Sequence, residues 1–138
     1  MRIRIHTSIR LALTAAALAA ASSAQAYTQV VAFGDSLSDN GNLHSLMAKF
    51  GVDTPASPYF EGRFSNGPVA VEVMAKQLGL SLDDRAYGGA TTGTGNKTAS
   101  PVLDATGMTS QVNKYLGEKS NSLDAQALYF VWGGGNDV

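Results

Sequence analysis

Gln29-Val30-Val31-Ala32-Phe33-Gly34-Asp35-Ser36-Leu37-Ser38-Asp39-Asn40-Gly41-Asn42 opens the informative part of the chain. Its first five residues read as a strand. Val30, Val31, Ala32 and Phe33 leave no polar face, the pattern of a strand buried on both sides in a parallel sheet. The strand then breaks into a turn rich in Gly, Asp and Asn, with a short helix expected over Leu43 to Phe50. Ser36 rides on that turn, at the edge of the expected sheet.

Two more strands and two more helices follow. Pro55, Pro58, Gly62 and Gly67 keep residues 52–67 in a loop. Asn66 reads as an N-cap and Pro68 as a first-turn residue. Val69, Val73, Met74, Gln77 and Leu78 then recur at helical spacing until Gly79 stops them. Leu80 to Asp84 is a weaker strand, and residues 87–100 form a long polar loop with four glycines. Loops of that length are usually functional or mobile. Met108, Val112, Tyr115 and Leu116 mark an amphipathic helix ending near Gly117. Ala127 to Trp132 is a third strand, running into Gly133-Gly134-Gly135-Asn136-Asp137. Strand, helix, strand, helix, strand predicts right-handed crossovers and a parallel sheet with helices on its faces, an α/β fold. Sites in such sheets lie in the loops beyond the carboxyl ends of the strands. The loops holding Ser36, Gly88-Gly89 and Asn136 should therefore converge.

Residues 1–26 read as an export signal. Arg2, Arg4 and Arg10 precede an apolar run over Leu11 to Ala21, and Ala24-Gln25-Ala26 supplies a small-x-small cleavage pattern. The run is too short for a membrane span of about 20 residues. A mature chain would begin at Tyr27 and keep 112 residues, enough for one small domain over 27–138. Losing the three leader arginines leaves 7 basic against 11 acidic residues, a formal charge of −4. That balance argues against a nucleic-acid partner, which would want a basic stripe. There is no cysteine, so the exported chain must be held by its core.

Ser36 is a candidate nucleophile, or a turn and capping serine. Position 38 is Ser rather than Gly, so the nucleophile elbow of the α/β-hydrolases is absent. Gly88-Gly89 lets the backbone approach a reacting group, and its N–H could donate to an oxyanion; alternatively it gives loop flexibility. Gly93-x-Gly95 lacks the context of a dinucleotide fingerprint. Asn136 is a candidate oxyanion donor without a titratable charge, or part of an Asn-Asp turn. Asp35, Asp39 and Asp137 could be read as a hard-cation site, though Asp35 and Asp39 serve equally to tie down a turn. His6 lies in the leader, and His44 follows Ser36 by eight residues on a short helix; neither is assigned as a base.

At these residues the chain resembles the GDSL esterases and lipases of the SGNH hydrolase superfamily. Gly34-Asp35-Ser36-Leu37-Ser38-Asp39-x-Gly41-Asn42 is similar to the first block of that family. Gly62-Arg63-Phe64-Ser65-Asn66-Gly67 is similar to a segment of its larger lipases. Ala86-Tyr87-Gly88-Gly89-Ala90-Thr91-Thr92 and Trp132-Gly133-Gly134-Gly135-Asn136-Asp137 resemble the second and third blocks. The resemblance implies a three-layer α/β/α sandwich of flavodoxin-like type. It implies Ser36 as nucleophile, and the Ser36 N–H, Gly89 N–H and Asn136 amide as an oxyanion hole. It implies hydrolysis of carboxylic esters, of lipids or acetylated sugars, with no metal and no cofactor. Secreted bacterial members of the lecithinase and hemolysin type are nearest in flavour.

The family's last block, an Asp-x-x-His that supplies base and orienting acid, has no counterpart in these residues. The expectation is an N-terminal fragment of a longer exported esterase, periplasmic, secreted or outer-membrane-associated, with no useful activity in residues 27–138 alone. The competing expectation is a non-catalytic secreted module that binds carbohydrate or lipid. Acyl and alcohol specificity and oligomeric state are not readable from the sequence.

Overall fold

The computed structural model describes residues 27–120 and 122–138; the expected leader lies outside the described residues. β1 (Gln29–Gly34) is the middle strand of a three-stranded parallel sheet, between β2 (Ser81–Asp84) and β3 (Leu128–Trp132). Val31 is paired with Asp83 on one side and Tyr129 on the other. The helices α1 (Asn42–Ala48), α2 (Ala70–Leu78) and α3 (Met108–Glu118) lie in the connections.

The unbroken apolar character of β1 has a direct structural cause. Val30 and Ala32 face one layer, where they pack with Val69, Val71 and Ala75 at the start and middle of α2. Val31 and Phe33 face the other layer, against Tyr115 and Val112 of α3. The Phe33 and Tyr115 rings meet edge to face, with centroids 5.5 Å apart. Helix, sheet and helix thus form three layers, and no position of the strand interior is left for water. β2 and β3 are the two edges of the sheet among the described residues, and Val131 and Trp132 on β3 are more than half exposed.

Several boundaries differ from expectation. α1 ends at Ala48, and Phe50 folds back in a turn, its N–H donating to Met47 C=O. α2 begins at Ala70 with Val69 as its cap; Asn66 and Pro68 stay in the preceding loop. The cap is made by Glu72, whose carboxylate accepts the Val69 N–H at 2.9 Å while pairing with Arg63. A charged side chain at the third helical position therefore outcompetes the local Asn-x-Pro signal. α3 passes through Gly117 to Glu118. Its first N–H groups have no side-chain cap. Instead the carbonyls of Thr94, Thr91 and Gly93 accept from Gly107, Met108 and Thr109 at 2.9 to 3.0 Å. The glycine-rich loop is thus used to satisfy the open end of a helix.

Candidate active site

The turn bearing Ser36 is tied down from every side but one. The Asp35 N–H donates to Trp132 C=O of β3. The Asp35 C=O accepts from Ser38 and Asp39 at 3.0 and 3.1 Å, and its carboxylate accepts the Leu37 N–H at 3.0 Å. Among the described residues, neither the N–H nor the hydroxyl of Ser36 has a hydrogen-bond partner. Just upstream, Gly34 is gripped by a side chain. Gln111 Oε1 accepts the Gly34 N–H, and Gln111 Nε2 donates to the Gly34 C=O, both at 2.9 Å. Nε2 also donates to Thr106 C=O, and Gln111 is 4 % exposed.

Asp39 links this turn to the second loop. Its carboxylate accepts four backbone N–H groups: Gly41 at 2.8 Å, Asn42 at 2.6 Å, Leu43 at 3.1 Å and Gly88 at 2.7 Å. The Gly88 N–H is therefore consumed. The next residue, Gly89, has φ of +77°, and its N–H has no acceptor among the described residues. A side chain at Gly89 would be strained by that φ and would collide with Asn96. Asn96 holds the loop: Nδ2 donates to Gly88 C=O at 2.8 Å and Thr106 Oγ1 at 3.0 Å, and Oδ1 accepts the Thr98 N–H.

The third loop closes onto the second. Asn136 Nδ2 donates to Ala90 C=O at 3.0 Å. The Asp137 carboxylate accepts both the N–H and the hydroxyl of Thr92 at 2.8 Å. Ser36, Gly89 and Asn136 line one cavity of about 350 Å³, together with Gly88 and Asn96. Its remaining wall includes Leu43, Met47, Phe64 and Leu103. The cavity thus brings together the Ser36 hydroxyl and the Ser36 and Gly89 N–H groups, unclaimed among the described residues, with the Asn136 amide, which has a hydrogen to spare.

Other sequence candidates lie elsewhere. The carboxylates of Asp35, Asp39 and Asp137 are each engaged with backbone N–H groups of different partners. Among the described residues no group of three His, Cys, Asp or Glu side chains could hold a metal. His44 Nδ1 lies 3.6 Å from the Asp53 carboxylate, with its ring against Gly62, and it does not line the Ser36 cavity. A larger cavity of about 430 Å³ lies beside β2, lined in part by Asp84, Arg85, Gln111 and Lys114, and does not include Ser36.

The supporting polar residues escaped the sequence reading. Gln111 carries one legible signal: it shares a helical stripe with Met108 and Tyr115, a polar residue where the spacing calls for an apolar one. Asn96 and Asp84 carry none, and Asn42 only its place in the first family-like block. Asn42 Nδ2 donates to the Asp84 and Ala86 carbonyls, pinning the exit of β2. Gln111→Ala is expected to lower stability by about 2–3 kcal/mol, since it strands the buried Gly34 N–H and Thr106 C=O. Urea denaturation checks the magnitude. Hydrogen exchange at Gly34 should accelerate beyond what that stability loss alone produces.

A parallel α/β sheet whose three loops meet in one cleft beyond the strand ends defines the general class of the molecule. The family model for GDSL-like lipase/acylhydrolase matches residues 30–138, and the chain belongs to that family. It is 37 % identical over 130 residues to a phosphatidylcholine-sterol acyltransferase of Aeromonas hydrophila, covering 92 % of this chain and 38 % of that protein. It is 34 % identical over 127 residues to Lipase 1 of Photorhabdus luminescens, covering 91 % of this chain and 18 % of the lipase. A thermolabile hemolysin of Vibrio parahaemolyticus is 40 % identical over 88 residues, covering 64 % of this chain and 19 % of that protein. The chain thus spans well under half the length of these relatives. No helix among the described residues is long and apolar enough to cross a membrane.

Proposed function

We propose that this chain carries the nucleophile and oxyanion hole of an exported hydrolase of carboxylic esters. The observation that supports this most is the shared cavity of Ser36, Gly89 and Asn136, with the Ser36 hydroxyl and both N–H groups unclaimed. In this reading Ser36 Oγ attacks the ester carbonyl carbon as a base removes its proton. The carbonyl oxygen becomes an oxyanion held by Ser36 N–H, Gly89 N–H and the Asn136 amide. The C–O bond to the alcohol breaks, the alcohol leaves with the proton, and an acyl-Ser36 remains. Water repeats the sequence and releases the acid. Metal and cofactor have no part in it. Leader residues 1–26, with their basic start and Ala-x-Ala end, support export.

The base is the group for which the described residues offer no candidate, because His44 does not line the Ser36 cavity. Residues 27–138 alone are therefore expected to show no useful Ser36-dependent turnover of p-nitrophenyl butyrate. Removing triad members in a studied serine protease leaves only about 10³–10⁴ over water. With imidazole added as an external base, a fluorophosphonate probe is expected to label Ser36 selectively, as located by peptide mass mapping. Asn136→Ala should slow that labelling by about 10²–10³, the usual cost of one oxyanion donor. Label scattered over surface serines, or a rate indifferent to Asn136, removes the nucleophile assignment. A binding module without chemistry predicts that second result.

A further inference from the structure

Gly88 and Gly89 are adjacent, and neither has a Cβ to restrict its backbone. The peptide groups on either side of the pair are fixed. The Gly88 N–H donates to Asp39 at 2.7 Å, and the Gly89 C=O accepts the Lys97 N–H at 2.8 Å. The peptide between the two glycines can still turn about its own axis, because rotation at ψ of Gly88 is offset by rotation at φ of Gly89. A half-turn would put the Gly88 C=O where the Gly89 N–H now points, an acceptor in place of a donor. One side chain opposes that turn. Asn96 Nδ2 donates to the Gly88 C=O at 2.8 Å. A planar trans peptide points its C=O and N–H in opposite directions, so holding the oxygen also aims the Gly89 N–H. The same side chain lies against the Gly89 Cα, where an added Cβ would meet Asn96 Oδ1. The ends of the Asn96 amide are themselves fixed. Oδ1 accepts the Thr98 N–H at 3.0 Å, and Nδ2 also donates to Thr106 Oγ1 at 3.0 Å. Thr106 is 5 % exposed and spends its hydroxyl proton on Leu103 C=O, so its oxygen can only accept from Asn96. A reversed amide would set oxygen against oxygen at both Gly88 and Thr106.

We propose that Asn96 is a positioning residue of the oxyanion hole, locking the Gly88–Gly89 peptide in the orientation that presents the Gly89 N–H to the substrate. The proposal rests on the reading of Ser36 as nucleophile and Gly89 as oxyanion donor. Asn96 acts through the peptide and not on the oxyanion itself. Its loss leaves the Gly89 donor in the chain but free to turn away. Each reaction must then reorder that peptide as charge develops on the substrate oxygen. Preorganised donors help because they need no such reordering at the moment of reaction. The penalty therefore falls on the rate of the chemical step and spares ground-state binding.

The test is Asn96→Asp, which keeps the shape and the acceptor for Thr98 but replaces the NH₂ donor by an acceptor. Parent and variant are labelled with the fluorophosphonate over a range of probe concentrations, with imidazole as base. Ser36 Oγ bonds to phosphorus, fluoride leaves and imidazole takes the proton, so the phosphonyl oxygen stands where the oxyanion would. The rate constant at saturating probe is expected to fall about 10- to 10²-fold, with the half-saturating concentration unchanged. In the labelled parent the Gly89 amide proton should move downfield as it donates to the phosphonyl oxygen; in the labelled variant most of that shift should be absent. A merely structural Asn96 gives a different result. The fraction of chain that takes label then drops in step with stability in urea, while the rate constant and the Gly89 shift stay as in the parent, and this overturns the proposal. If Asn96→Asp fails to fold, the parent alone decides: an NMR coupling across the hydrogen bond from Asn96 Nδ2 to the Gly88 carbonyl carbon is expected, and its absence overturns the proposal. Failure of the underlying reading shows in the parent instead, as no label at Ser36 or a Gly89 amide that does not respond to it, and either removes this proposal with its foundation.

Discussion

Asp39→Ala is expected to destabilise the chain by about 3–5 kcal/mol, a large share of the stability of a small domain. Asp39 is fully buried, and its carboxylate is the common acceptor for Gly41, Asn42, Leu43 and Gly88 N–H groups. Burial pushes its carboxyl above the usual range, while the four N–H bonds pull the other way. Alanine removes the cost of burying the charge but strands the donors. Those of Leu43 and Gly88 are buried, so water does not replace the lost acceptor there. Each buried unsatisfied N–H costs about 1–3 kcal/mol, and the two partly buried donors add less. Total stabilities of small domains are about 5–15 kcal/mol. In urea the midpoint should fall by at least about 1 M, given slopes of about 1–3 kcal/mol per molar. Asp39→Asn should recover only part of the loss, because its NH₂ would point at other donors. A midpoint within experimental error of the parent would mean that water reaches these N–H groups after all.

The position of Asp39 explains how the loops of the site are tied together. It joins the turn after β1 to the loop after β2, while Asn136 and Asp137 join the loop after β3 to that same second loop. The three loops are therefore a hydrogen-bonded unit, in which Asn136 both lines the cavity and ties its loop to the second. Gln111 adds a fourth restraint from the helical layer, through Gly34. Such support is what a site needs if its geometry is to survive substrate binding.

How far the sequence could be read follows from the range of each interaction. β1 was legible because burial on both faces leaves a four-residue apolar run bounded at once by turn residues. Ser36, Gly88-Gly89 and Asn136 stood out because they occupy loops that follow strands, where topology brings loops together; the choice of Gly89 within its pair came from the family resemblance. The start of α2 was misplaced because Asn66 and Pro68 carry local capping signals, whereas the cap depends on Glu72 and on the Arg63 beside it. The glycine-rich loop was legible as a loop but not as the cap of α3, since its carbonyls lie more than ten residues from the N–H groups they accept. Asn96 and Asp84 look like any polar surface residue until the fold half-buries them. Periodicity reports which face of an element is apolar; it says nothing of which distant backbone group a lone polar side chain will serve.

Asp84 makes that last point measurable through pH. Burial pushes its carboxyl up to about 7, against the Ala86 and Asn40 N–H bonds that favour the anion; the nearby charges of Asp39 and Glu72 push it further up. Arg85 and Lys114 share the adjoining cavity, but Arg85 is engaged by Asp83 and Glu118. In the unfolded chain an aspartate titrates near its ordinary value of about 3.9. Between these two values the folded state holds a proton that the unfolded state has released, so stability falls as pH rises. The contribution is complete below about pH 4 and is lost as pH passes through about 7. At about 1.4 kcal/mol per unit, three units amount to as much as about 4 kcal/mol. Asp39, raised in the same direction, steepens the fall, and Glu72, whose carboxyl is lowered, acts only on the acid side. Urea unfolding of the parent and Asp84→Asn chains from pH 4 to 8 isolates the Asp84 share, because asparagine does not titrate. The difference between the two curves should narrow steadily as pH rises if the parent begins as the more stable chain. Curves that run parallel across the range would show that Asp84 ionises in the folded chain as it does in the unfolded one.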